Sequence, residues 1–130
     1  MKIITILVLT PLLCLLISSC QITPKNGRPF PPSASLVDGI YEASFKGGLN
    51  EAKVAVTISD KKVAEIKLLE HNASWIGRKA DTVLVPRMIK EQSANVDAVS
   101  GATNSSNVIM NAVQLAVEKA IAEPDTGKLF

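Results

Sequence analysis

The sequence has few aromatics, one histidine and almost no cysteine. Phe, Trp and Tyr make up 4% of 130 residues, and the formal charge is only +2. That leaves neither a stacking platform for bases nor a field for phosphate backbones, which argues against nucleic acid as a partner. The lone histidine, His71, cannot make up a usual zinc or haem ligand set without cysteines beside it, so no metal is expected. Nor does it lie near a nucleophile elbow, so no Ser-His-Asp hydrolase and no catalytic residue is read from this chain. The two cysteines, Cys14 and Cys20, both precede the polar part of the sequence. An internal disulfide in the folded part is therefore not expected. There is no repeat, and the length suits one small domain.

One long apolar run is present, Ile3 to Ile17 behind Lys2, with Pro11 inside it. Its ~15 residues fall short of the ~20 that span a bilayer comfortably. A basic start, a short apolar stretch and then small residues describe a signal peptide over 1–19. The run ends Leu16-Ile17-Ser18-Ser19-Cys20, which resembles the lipobox of bacterial lipoproteins. The resemblance implies that Cys20 is acylated and becomes the first residue, an explanation for an unpaired thiol in an oxidising compartment.

Residues 20–37 contain Pro24, Pro29, Pro31 and Pro32 without apolar periodicity. They read as a stiff tether that, at ~3.1 Å per residue, holds the domain roughly 50 Å from the lipid.

A domain is expected over 38–123, with a tail at 124–130. Tyr41, Ala43 and Phe45 alternate with polar residues. So do Val54, Val56 and Ile58, and then Ala64, Ile66 and Leu68. Three short strands with tight turns predict an antiparallel meander. A helix follows over Ala80 to Gln92, interrupted or started near Pro86. A short extended piece is expected at Val96 to Val99. Ile109, Ala112, Val113, Ala116, Val117, Ala120 and Ile121 fall on one helical face, predicting a final amphipathic helix over Ser106 to Ala122. The fold class is α+β, a small antiparallel sheet covered on one face by helices.

Between the extended piece and the last helix runs Asp97-Ala98-Val99-Ser100-Gly101-Ala102-Thr103-Asn104-Ser105-Ser106. Gly101 allows tight backbone geometry. Asn104, Ser105 and Ser106 are cap candidates. The coming helix offers N–H groups to an anion such as phosphate, and Thr103 places a hydroxyl there. Asp97 through Thr103 resembles the target motif of FMN-binding domains modified by a flavin transferase: Asp, two variable positions, Ser or Thr, Gly, Ala, Thr. Such domains occur in subunits of the sodium-pumping NADH:quinone oxidoreductase and in related redox complexes.

The resemblance, which runs from about Val37 to Ala122, implies FMN as cofactor. It implies a phosphoester to Thr103, with Asp97, Ser100, Gly101, Ala102, Asn104 and Ser105 around it. It also implies a flavin transferase and redox proteins as partners. Larger relatives carry Glu-Thr-Pro-Gly after a histidine in the segment after the third strand. Here His71 is followed by Asn72-Ala73-Ser74-Trp75-Ile76-Gly77. His71 reads equally as a contact to the flavin or its phosphate and as a locally bonded loop histidine. Trp75 reads as a side chain closing the core more readily than as a stacking partner.

The resulting expectation is an exported, lipid-anchored flavoprotein on the extracytoplasmic face of a bacterial membrane, carrying electrons rather than acting as a free-standing enzyme. A non-covalent FMN module and a cofactor-free structural lipoprotein are the alternatives.

Overall fold

In the computed structural model residues 23–121 are described. The expected signal peptide over 1–19, Cys20 and the tail at 124–130 lie outside them. The element order is β1 (Gly39–Gly47), β2 (Asn50–Ser59), β3 (Lys62–Asn72), α1 (Lys79–Glu91) and α2 (Thr103–Lys119). The strands form one antiparallel sheet in the order β1-β2-β3. The fold is α+β, with both helices packed on the sheet.

The alternation read in the sequence sets the sheet's inner face. Ala52, Val54, Val56 and Ile58 of β2 are almost fully buried, with Ala43 of β1 beside them. Two-residue turns join the strands. Gly48 supplies one positive φ of 63°, whereas Asp60 and Lys61 adopt φ of 52° and 61° without glycine. β3 departs from simple alternation. Its pairing with β2 slips between Thr57 and Ile58 and again between Lys53 and Val54. The first bulge turns Val63 inward and leaves Ala64 exposed, reversing the expectation for Ala64. The second exposes Leu69 and brings His71 opposite Ala52 on the buried face. A single extra residue changes which side every later side chain faces.

α1 runs unbroken through Pro86 and buries Ala80, Leu84 and Met88. Gln92, in the left-handed conformation after it, fastens its end to β3. Its Oε1 accepts from Val63 N–H at 3.0 Å, and its Nε2 donates to Val63 O at 2.9 Å.

The expected strand at Val96–Val99 does not form. The segment is irregular, and two of its carbonyls go to side chains. Lys25 Nζ donates to Val96 O at 2.6 Å, and Arg87 Nη1 donates to Asp97 O at 3.1 Å.

α2 begins at Thr103, a turn earlier than the sequence pattern suggests, and ends at Lys119. The apolar stripe is buried as expected from Ile109 through Ala120, but Ile121 is 38% exposed. The helix is not simply amphipathic, because every residue from Ser105 to Gln114 is buried. One side faces the sheet. Another lies under residues 23–28, and this overturns the tether reading for the described part of that stretch.

Thr23 N–H donates to Asn104 Oδ1 at 3.1 Å, and Asn107 Nδ2 donates to Thr23 O at 2.9 Å. Asn111 accepts from Asn26 N–H and donates to Pro24 O, both at 2.9 Å. Arg28 N–H donates to Gln114 Oε1 at 3.0 Å. The proline-rich chain is thus a strap along α2. Proline removes donors, and the amides of α2 satisfy the polar groups that remain. After the strap, Leu36 bridges to Ile121 and Val37 N–H donates to Ala120 O at 2.8 Å. The chain then turns into β1, which runs back toward the N-terminal end of α2.

Candidate functional site

The residues preceding α2 form a braced turn. Ser106 Oγ accepts from Val99 N–H at 3.0 Å and donates to Ala102 O at 2.8 Å, while Ala102 N–H reaches Val99 O at 2.9 Å. Ser106 is fully buried, so its hydroxyl holds the turn and is withheld from any ligand. Gly101 has φ +80°, and a Cβ there would meet nothing within 4 Å. Glycine is needed at this point for its backbone conformation, not for room.

Ala102 is the N-cap residue, and no side chain caps the helix. The first intrahelical bond runs from Ser106 N–H to Ala102 O at 2.9 Å. Among the described residues the N–H groups of Thr103, Asn104 and Ser105 therefore have no acceptor. They form the positive end of a helix of 17 residues. Thr103 is its first residue and is exposed. A hydroxyl open to solvent beside free N–H donors suits an esterified phosphate.

The other expected residues fall around this point with different duties. Asp97 and Ser100 are exposed, and Ala102 is buried. The side chain of Asn104 is engaged by Thr23 and approaches Gly47 O at 3.5 Å, while its backbone N–H has no acceptor among the described residues. Ser105 is 4% exposed, and a Cβ on Gly77 would overlap its Oγ. Gly77 therefore lets the loop after β3 close onto the first turn of α2.

His71 lies within β3, not in a loop, and its side chain is 4% exposed. Its Nδ1 pairs with Asp81 Oδ1 of α1 at 2.5 Å. Its Nε2 is buried without a partner among the described residues, as is the hydroxyl of Thr23 beside Gly47. A buried polar atom left unpaired is costly and calls for a partner; a bound cofactor is one.

Trp75 does not close the core. It is 71% exposed, and Lys79 Nζ stands 5.1 Å from the ring centroid. The four residues preceding Gly77 include no strand or helix that would turn the indole inward.

The exposed threonine stands at an uncapped helix start, and the imidazole nitrogen of His71 is separately without a partner among the described residues. A family model for the FMN-binding domain matches residues 47–118, more than half of the chain. The chain belongs to the FMN-binding domain family. Its cofactor is FMN. An uncharacterized protein of Treponema pallidum (strain Nichols) is 33% identical over 107 residues. The aligned part is 78% of this chain and 27% of that protein, so the chain spans about a quarter of its relative's length. Among the described residues no helix of this FMN-binding domain is long and apolar enough to cross a membrane.

Three contributors escaped sequence reading. Asp81 stands ten residues from His71, a separation that follows no local rule. Gly77 and Thr23 act through close approach. The strap did leave a sign: Asn104, Asn107, Asn111 and Gln114 recur at helical spacing. An amide row on a helix that is otherwise apolar marks a face that receives backbone.

Proposed function

We propose that the chain is an exported, lipid-anchored carrier of covalently attached FMN that passes electrons between redox proteins outside the cytoplasm. The observation that carries this reading is Thr103, exposed as the first residue of α2 with uncapped N–H groups beside it. The ester joins Thr103 Oγ to the flavin phosphate. Forming it from FMN and a free hydroxyl would release water into water. A flavin dinucleotide would avoid this: Thr103 would supply the hydroxyl that takes the flavin phosphate, and a nucleotide monophosphate would be the leaving group. The N–H groups of Thr103, Asn104 and Ser105 would hold the phosphate charge. Ser106, tied to Val99 and Ala102, holds those donors in place.

FMN supplies exchange of one or two electrons. The protein keeps it from being lost by dilution outside the cell and supports it through the helix start and His71. Acylated Cys20 confines the carrier to the extracytoplasmic face of the membrane.

The test is to coexpress the exported chain with a flavin transferase and boil it in detergent. Fluorescence should stay on the band, and peptide mass should place one FMN, less water, on the peptide holding Thr103. Thr103→Ala should be dark yet folded. A dark wild type that still binds free FMN would mean a non-covalent module. An adduct on Ser105 would move the residue assignment and keep the function.

A further inference from the structure

We infer that the Thr103 end of the domain rests on the bilayer surface, held by Leu49, Trp75 and Ile76 together with the anchor at Cys20. The inference builds on the reading of Cys20 as lipidated, and it follows from the direction of the strap. Thr23 is bonded to Asn104 and Asn107, next to Thr103 and not at the far end of α2. Only two residues separate Cys20 from Thr23. Three Cα–Cα steps reach at most ~11 Å, whereas the other end of the 17-residue α2 lies ~25 Å away. The anchor is therefore at the flavin end.

The same end carries large apolar side chains in the open. Leu49 is 94% exposed, Trp75 71% and Ile76 42%. Leu49 follows Gly47 by two residues, and a Cβ on Gly47 would overlap Thr23 Oγ1. Ile76 adjoins Gly77, whose Cβ position overlaps Ser105 Oγ. The β1–β2 turn and the loop after β3 thus flank the first turn of α2, each with exposed apolar residues. In water this surface is unfavourable. At the headgroup boundary an indole with a cation beside it is well placed, and Lys79 stands over Trp75 with exposed Arg78 next to it. Charges on the β1–β2 hairpin offset one another, since Lys46 faces Glu51 across the ladder. In this orientation a flavin on Thr103 lies at the membrane surface, where a redox partner embedded in that bilayer reaches it.

Trp75 is the chain's one tryptophan, so its emission reports this end alone. The lipidated, flavin-loaded protein is reconstituted in vesicles of phosphatidylcholine and phosphatidylglycerol, with and without bromine on the acyl chains. Any loss of emission to the flavin is common to both, so their ratio reports contact with lipid. Emission should drop in the brominated vesicles. It should recover when Leu49→Ser is combined with a long Gly/Ser insert between Ile22 and Thr23. Emission indifferent to bromine, with an intact mass showing acylated Cys20, overturns the orientation alone. A mature chain with unacylated Cys20 overturns the anchor as well. Quenching that survives both the insert and Leu49→Ser overturns the assigned contacts.

Discussion

Asp81 Oδ1 stands 2.5 Å from His71 Nδ1 and joins the start of α1 to the end of β3. A carboxylate can only accept, so Nδ1 carries the hydrogen. Nε2 is buried without a partner among the described residues, and a polar atom of a bound ligand would pair it.

The prediction is read most simply where the ester is absent. If the proposed ester forms at Thr103, Thr103→Ala should leave FMN bound reversibly, with a measurable dissociation constant. His71→Phe in that background should weaken it about fivefold, the worth of one net hydrogen bond of ~1 kcal/mol. Asp81→Asn should act in the same direction and less, because it frees the ring without removing it. Titration by flavin fluorescence reads both. Unchanged affinity in His71→Phe would mean that Nε2 does not meet the cofactor.

The strap yields a second prediction. Asn111 is 2% exposed and bonds both Asn26 and Pro24. Asn111→Ala leaves an N–H and a carbonyl of the strap unpaired and should cost ~2–3 kcal/mol. Urea denaturation should show the midpoint falling with an unchanged slope. A midpoint like that of wild type would mean that the strap adds nothing to the domain.

The contrast between strap and stripe shows what was legible in the sequence. Apolar periodicity identified the three strands and the last helix, because burial of Val54, Val56, Ile109 and Val113 obeys a local repeat. It misplaced Ala64, since a β-bulge changes face parity without a mark in composition. It saw proline in residues 20–37 and read a spacer, because the partners of residues 23–28 are amides some eighty residues later. The motif around Thr103 was legible for a different reason: its residues are contiguous in the sequence and resemble a family pattern directly. Asp81 and Thr23 were not legible, because tertiary contacts bring them there.

A third prediction concerns the face of α2 that the periodicity identified. Ala116 has no exposed surface, whereas its neighbour Leu115 is 39% exposed. Ala116→Asp buries an unpaired carboxylate and should cost several kcal/mol. Leu115→Asp should stay within ~1 kcal/mol of wild type. Thermal melts of the two variants should separate widely. Equal melts would mean that the helix is rotated from the placement described.

The last prediction turns on Gly101. Its φ of +80° lies where a Cβ is strained, yet no atom stands within 4 Å of the position a Cβ would take. Gly101→Ala should therefore cost ~1–2 kcal/mol from backbone strain alone. Asparagine enters the left-handed region more readily, so Gly101→Asn should cost less. Flavin labelling separates two reasons for the glycine. If the turn needs only its conformation, Asn should be labelled by the transferase faster than Ala, in step with stability. If the flavin phosphate or the transferase itself passes close to the α-carbon, both variants should label poorly, however well each folds. The open space around Gly101 in the protein by itself favours the first outcome, because nothing in the domain presses on that carbon. Labelling rates that fail to follow the melting temperatures of the three proteins would shift the reason to close approach by a partner.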